Sequence, residues 1–154
     1  MTRHTHCILL VDDDTSSLEV LSEVLTRAGY EILSAMNGYE ALTIAQENSI
    51  ELAILDFNLP DTTGAELLQQ IKQFHPDVPV IIMSANTSQQ IKLDVFEAGA
   101  YTFIAKPIDL RQLLQFVARG LNFKQQWASA SRAGSQTIQI KRSFFFRWIR
   151  IIKH

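Results

Sequence analysis

The chain has 154 residues, 47% apolar and 19% charged, which is ordinary globular usage and excludes a disordered or fibrous chain. That length suits one domain with a core that needs no disulfide, and the lone Cys7 cannot form an internal one, which suits a reducing compartment. The formal net charge of −2 hides an asymmetry: all 16 acids and 7 of the 14 Lys+Arg fall within residues 1–120, leaving −9 there, while 121–154 carry +7 and no acid.

In chain order, Cys7–Val11 is a short apolar run closed by Asp12, Asp13 and Asp14, too short for a helix or a signal-peptide core. Ser17–Ala28 places Leu18, Leu21, Val24 and Leu25 at helical spacing, and Gly29 stops it. Glu31–Ala35 reads as a strand and Gly38–Asn48 as a helix. Leu52–Leu55 is an apolar strand ended by Asp56, and Gly64–Phe74 carries Leu67, Leu68 and Ile71 on one helical face. Pro76 and Pro79 frame a turn before the β-branched run Val80–Met83. Ser88–Ala98 is helical up to Gly99, Tyr101–Ala105 is a strand, and Asp109 caps a helix expected to reach about Leu121. Nowhere do about 18 apolar residues run together, so no bilayer-spanning helix is expected and the cytoplasm is the expected location.

Strand and helix alternate five times, and apolar strands of this kind are buried on both faces. The pattern predicts an α/β fold, a five-stranded parallel sheet with helices on both faces. In such an open sheet function gathers at the carboxyl ends of the strands. There the sequence places Asp12, Asp13 and Asp14, then Asp56, Ser84 and Lys106. Clustered carboxylates repel one another unless a cation joins them. Oxygen ligands beside an ammonium suit Mg²⁺ with a phosphate, and a carboxylate can itself be the nucleophile that forms an acyl phosphate. Lys106 would neutralise phosphoryl oxygens, and the Ser84 hydroxyl would donate to one of them.

The stretches Ile8-Leu-Leu-Val-Asp-Asp-Asp14, Leu55-Asp-Phe-Asn-Leu-Pro-Asp-Thr-Thr-Gly64, Ile82-Met-Ser-Ala85 and Phe103-Ile-Ala-Lys-Pro107 together resemble the receiver domain of two-component response regulators, over about residues 6–123. One such motif is weak; four in order are specific. The resemblance implies the flavodoxin-like doubly wound sheet, order 2-1-3-4-5. It implies phosphorylation of Asp56 by a histidine kinase or a histidine phosphotransfer protein. It also implies Mg²⁺ on Asp12, Asp13, Asp56 and the backbone carbonyl of Asn58, with Asp14 just outside the pair. Ser84 matches the switch hydroxyl, Lys106 the phosphate-binding lysine and Phe103 the switch aromatic, and the Lys106–Pro107 bond is implied to be cis. The expected function is that of a phosphoacceptor that switches a protein-binding face toward a downstream protein target, not that of an enzyme.

Each residue also has a plainer role open to it. Aspartates after strands form turns and caps, Ser84 could be an N-cap, Lys106 a surface amine, and Phe103 core. His4, His6, His75 and His154 lack metal-site spacing and are expected at the surface, and Cys7 in the core. A haloacid-dehalogenase-like phosphatase using Asp12 is the alternative enzyme, but it needs a late acidic metal ligand, and no acid follows Asp109. A degenerate receiver acting only as a binding module is a third reading, although no expected site residue is missing.

Residues 1–123 are read as the receiver and 124–154 as a basic tail. The 31 residues after 123 are too few for a DNA-binding domain of the usual size, so a stand-alone receiver is expected. Ser129–Gln136 reads as a linker. Ser143–His154 places Phe144, Trp148, Ile151 and Ile152 opposite Arg147, Arg150 and Lys153 at helical spacing. Such a helix suits an anionic membrane surface or a partner's groove, or can pack on the acidic receiver itself; nucleic acid is not the expected partner.

Overall fold

A computed structural model describes residues 3–132, which alternate strand and helix from end to end. The strands are β1 (Cys7–Val11), β2 (Glu31–Ala35), β3 (Leu52–Asp56), β4 (Val80–Ser84) and β5 (Thr102–Ala105). Between and after them run α1 (Thr15–Arg27), α2 (Gly38–Glu47), α3 (Gly64–Phe74), α4 (Gln89–Glu97) and α5 (Leu110–Arg132). All four strand pairings are parallel and the order is β2-β1-β3-β4-β5, as the resemblance implies.

The apolar runs are continuous because each inner strand feeds two cores. In β1, Leu9 and Val11 pack with Leu55, Leu67, Ile71 and Ile82 on one face, while Ile8 and Leu10 pack with Leu18, Leu25, Leu113 and Val117 on the other. Every residue of β3 and β4 is buried. Removing any one of these large side chains to Ala would cost about 2–5 kcal/mol, because an inner strand has no room to collapse.

Helix starts are fixed locally by side-chain oxygens on first-turn amides. Asp14 accepts from Ser16 N at 2.9 Å, Asn37 from Glu40 N at 2.8 Å, and Thr63 from Glu66 N at 3.2 Å. Ser88 and Asp109 do the same for α4 and α5. Such caps contribute about 1 kcal/mol each. Gly29 and Gly99 follow α1 and α4 with φ of 99° and 105°, a region closed to most side chains.

Most predicted boundaries shift by one or two residues. The shifts at Asp56 and Ser84 matter, since each is the last residue of a strand rather than the first of a loop. The largest difference is α5, which passes Leu121 and runs to Arg132. Leu121 ends the buried stripe, but no Gly or Pro follows before Gly134, and the Phe123 ring packs 5.8 Å from that of Tyr101. The first part of the expected linker is therefore helical. The rest of it, and the amphipathic segment at 143–154, lie outside the described residues. Among the described residues no helix is long and apolar enough to cross a membrane.

Candidate functional site

Parallel register carries four side chains to one edge. Val11 pairs with Leu55, Asp56 with Met83, and Ser84 with Ala105, so Asp12, Asp56, Ser84 and Lys106 end four adjacent strands. From β1 the chain steps outward to β2, then turns back past β1 to β3, and the crevice where the winding reverses is where open α/β sheets bind ligands.

Two carboxylates lie deep in this edge. Asp12 is 0% exposed and Asp56 6%. The Lys106 ammonium lies between them, 2.9 Å from Asp56 Oδ2 and 3.3 Å from Asp12 Oδ2. Burial raises the Asp12 carboxyl above its ordinary value, against the Asp14 amide and the Lys106 charge, which favour ionisation. Burial opposes the charge on Lys106 as well, but its bonds to Asp56 and Asp12 outweigh it and hold the amine above the usual lysine range. A carboxylate pair sharing one amine has unspent negative charge.

Asp13, exposed, completes a cluster in which an oxygen from each of Asp12, Asp13 and Asp56 lies within 4.8 Å of the others. The donors are all oxygen, which suits a hard divalent cation. Asn58 is held beside them, its N–H donating to Asp56 Oδ1 at 3.2 Å, while a bridge to Thr63 closes its loop. Asp14 lies outside the cluster, as the resemblance implies, and caps α1.

Ser84 is fully buried and its Oγ accepts from Asn86 N at 3.1 Å. It does not cap α4, a role that falls to Ser88. Phe103 pairs in register with Ile82, so it shares a sheet face with Ser84, one step back from the edge. The ring is half-buried, and the Lys92 ammonium of α4 lies 5.7 Å from its centroid. The Lys106–Pro107 peptide is cis.

Four features escaped the sequence reading. Asp61 reaches across to α2, accepting from Gly38 N at 2.8 Å and Tyr39 N at 3.0 Å, which ties the loop after β3 to the neighbouring helix. Gly64 lies against the backbone of Asp56 itself. At the opposite end of the sheet His4 and His6 meet Glu51, where both histidines had been expected as plain surface residues. Only the His-x-His spacing hinted at this, since Glu51 arrives from another strand. His75, also expected at the surface, is half-buried with Nε2 2.6 Å from the Ala45 carbonyl.

A family model described as the response regulator receiver domain matches residues 8–118. The DNA-binding transcriptional regulator NtrC of Bradyrhizobium sp. (strain RP501 Parasponia) is 38% identical over 114 residues, 74% of this chain and 24% of that protein. The response regulator protein PilR of Pseudomonas aeruginosa is 35% identical, covering 75% of this chain and 26% of its own. The chain thus spans about a quarter of the length of these curated relatives. Among solved structures, a CheY-like receiver domain protein from Methanospirillum hungatei JF-1 superposes with a TM-score of 0.77 at 31% identity, over 80% of this chain and 98% of that one. The chemotaxis response regulator CheY4 of Vibrio cholerae gives 0.72 at 31% identity, over 77% and 100%. These likenesses favour the receiver over the phosphatase alternative.

Proposed function

The chain belongs to the response regulator receiver domain family, and from that premise we propose that Asp56 is its phosphoacceptor. A phosphohistidine of a histidine kinase or phosphotransfer protein is the donor. An Asp56 carboxylate oxygen attacks phosphorus, the oxygen–phosphorus bond forms as the phosphorus–nitrogen bond breaks, and the donor's imidazole leaves.

The observation that carries this reading is the Lys106 amine 2.9 Å from Asp56 at a buried strand end. A carboxylate held this way is oriented for attack, and the ammonium beside it stands ready for a phosphoryl oxygen. Ser84, on the next strand, supplies a hydroxyl for a second oxygen. Asp12, Asp13, Asp56 and Asn58 would hold Mg²⁺, which supplies charge neutralisation for the phosphoryl group.

With Ser84 drawn toward the phosphoryl group, the Phe103 ring turns inward and remodels the face formed by α4, β5 and the start of α5. That face carries the signal to a downstream protein. The receiver unit is residues 1–123, acting in the cytoplasm with self-catalysed phosphotransfer and dephosphorylation only, and the basic stretch 124–154 begins within α5, which continues to Arg132.

The test is Mg²⁺-dependent acyl phosphate formation from acetyl phosphate, located by peptide mapping. Asp56→Asn should abolish it. Label on Asp12 would restore the phosphatase reading, and normal labelling of the Asp56→Asn protein would remove the assignment altogether.

A further inference from the structure

At the end of the sheet remote from Asp56, three side chains with metal-ligating atoms converge. His4 Nε2 lies 2.8 Å from Glu51 Oε1, and His6 Nδ1 is hydrogen-bonded to Glu51 Oε2. The two imidazoles meet edge to face, centroids 5.0 Å apart at 88°. One ligand atom from each residue lies within 4.8 Å of the other two. We propose that His4, His6 and Glu51 form a second cation site, selective for a zinc-class divalent metal and independent of the phosphoacceptor edge.

The local chain explains the convergence. Residues two apart on an extended segment project to the same side, so His-x-His leading into β1 presents both rings together. Glu51 immediately precedes β3, the strand beside β1, and its N–H donates to the Cys7 carbonyl at 2.9 Å. On the other flank Glu31 N donates to the His6 carbonyl at 2.9 Å, and the Tyr30 ring stands 6.5 Å from the His6 ring. The segment is thus braced on both flanks, at His6 by β2 and at Cys7 by the residue that leads into β3. Its partners are set before any ion arrives.

Ligand chemistry selects the metal. Imidazole suits zinc, copper and nickel, whereas magnesium takes oxygen. Two imidazoles and one carboxylate are a known three-residue set for zinc, with a fourth position left for water. At about 2.0–2.1 Å from a tetrahedral ion, ligand atoms stand roughly 3.4 Å apart, so the present spacing closes with small side-chain rotations. Solvent has access, since the His4 side chain is 72% exposed. The charge is also favourable, because residues 1–120 carry −9. A strand of five residues at about 3.3 Å each puts roughly 17 Å between this cluster and the acidic edge, so the two sites bind separately.

The experiment is competition between the full chain and a chromophoric chelator for Zn²⁺, in saturating Mg²⁺ so that the acidic edge is occupied. One tight equivalent is expected for the wild type. His4→Gln, His6→Gln and Glu51→Gln should each weaken it about tenfold or more, as loss of an inner ligand must exceed the tenfold typical of an outer one. Asp56→Asn should bind Zn²⁺ as the wild type does. Co²⁺ in place of Zn²⁺ should give visible absorption bands that the three variants lose, a signature that a merely loosened fold would not produce. His4→Gln guards against misfolding, since so exposed a side chain contributes little to stability. Zn²⁺ affinity unchanged in the three variants, or no binding by the wild type, would overturn the site and leave a hydrogen-bonded pin between the N-terminal segment and β3.

Discussion

Gly64 and Asp56 are in near contact: a β-carbon at position 64 would stand 2.8 Å from the Asp56 carbonyl oxygen and 2.9 Å from Cα of Phe57. Both obstacles are backbone, so neither can rotate aside. Gly64→Ala must push the start of α3 away from the end of β3, where Gly64 N–H donates to the Phe57 carbonyl at 2.6 Å. We expect a loss of about 1–3 kcal/mol in urea unfolding, the usual range for overpacking, with slower phosphorylation of Asp56. Unchanged stability would mean that the loop yields more easily than its geometry implies.

Lys106→Met leaves the two buried carboxylates without their shared cation. Phosphoryl acceptance from acetyl phosphate should fall about 10²–10³-fold, the cost of removing one preorganised charge from a transition state of this kind. Mg²⁺ should bind at least as tightly, since Asp12 and Asp56 no longer bond to an amine. Fluorescence or calorimetric titration reads the second effect separately from the first. A variant that lost Mg²⁺ binding along with phosphorylation would show that Lys106 holds the carboxylates in place rather than acting on phosphate.

Asp61 offers a pH test. Bonds from the Gly38 and Tyr39 amides hold its carboxyl below the ordinary value of 3.8. The unfolded chain therefore takes up this proton more readily than the folded one. The stabilisation is present in full above the ordinary value and disappears as pH falls through the lowered one. Asp61→Asn should melt earlier than the wild type at neutral pH, and the two curves should converge under acid. A gap that stays constant down to pH 2 or so would show that charge plays no part in the tie to α2.

Amide spectra of the free and phosphorylated protein should differ most at Ser84–Ser88, α4, β5 and the first turns of α5. The Lys92–Phe103 contact is the local reporter, because an inward ring leaves the ammonium behind. Phe103→Ala should accept phosphate normally yet show weaker changes in α4. Changes confined to β2 and α2 would contradict this route.

The sheet and the acidic edge were legible in the sequence because each has a local signature. Apolar runs such as Ile8–Val11 and Val80–Met83 are too short for helices, and the acids, Ser84 and Lys106 follow them directly. The extent of α5 was not legible from buried spacing, since residues after Leu121 continue the helix with little core to mark it. Nor was the role of Asp61, which looks like any turn aspartate until α2 is brought beside it. His4 and His6 were visible, but the carboxylate they meet is supplied by strand pairing and by nothing near them in the chain.

Sheet order also divides the phosphoacceptor edge by how easily its parts come apart. β3 is the middle strand, buried at every residue, whereas β5 is an outer strand with one buried residue. Amide protons of Leu52–Leu55 should exchange with solvent only when the whole domain opens, and those of Thr102–Ala105 through smaller, more frequent openings. Asp56 therefore stands on the most persistent part of the molecule and Phe103 on one of the least. Excursions that expose the output face can occur many times while the carboxylate, and any phosphoryl group it carries, stays sheltered.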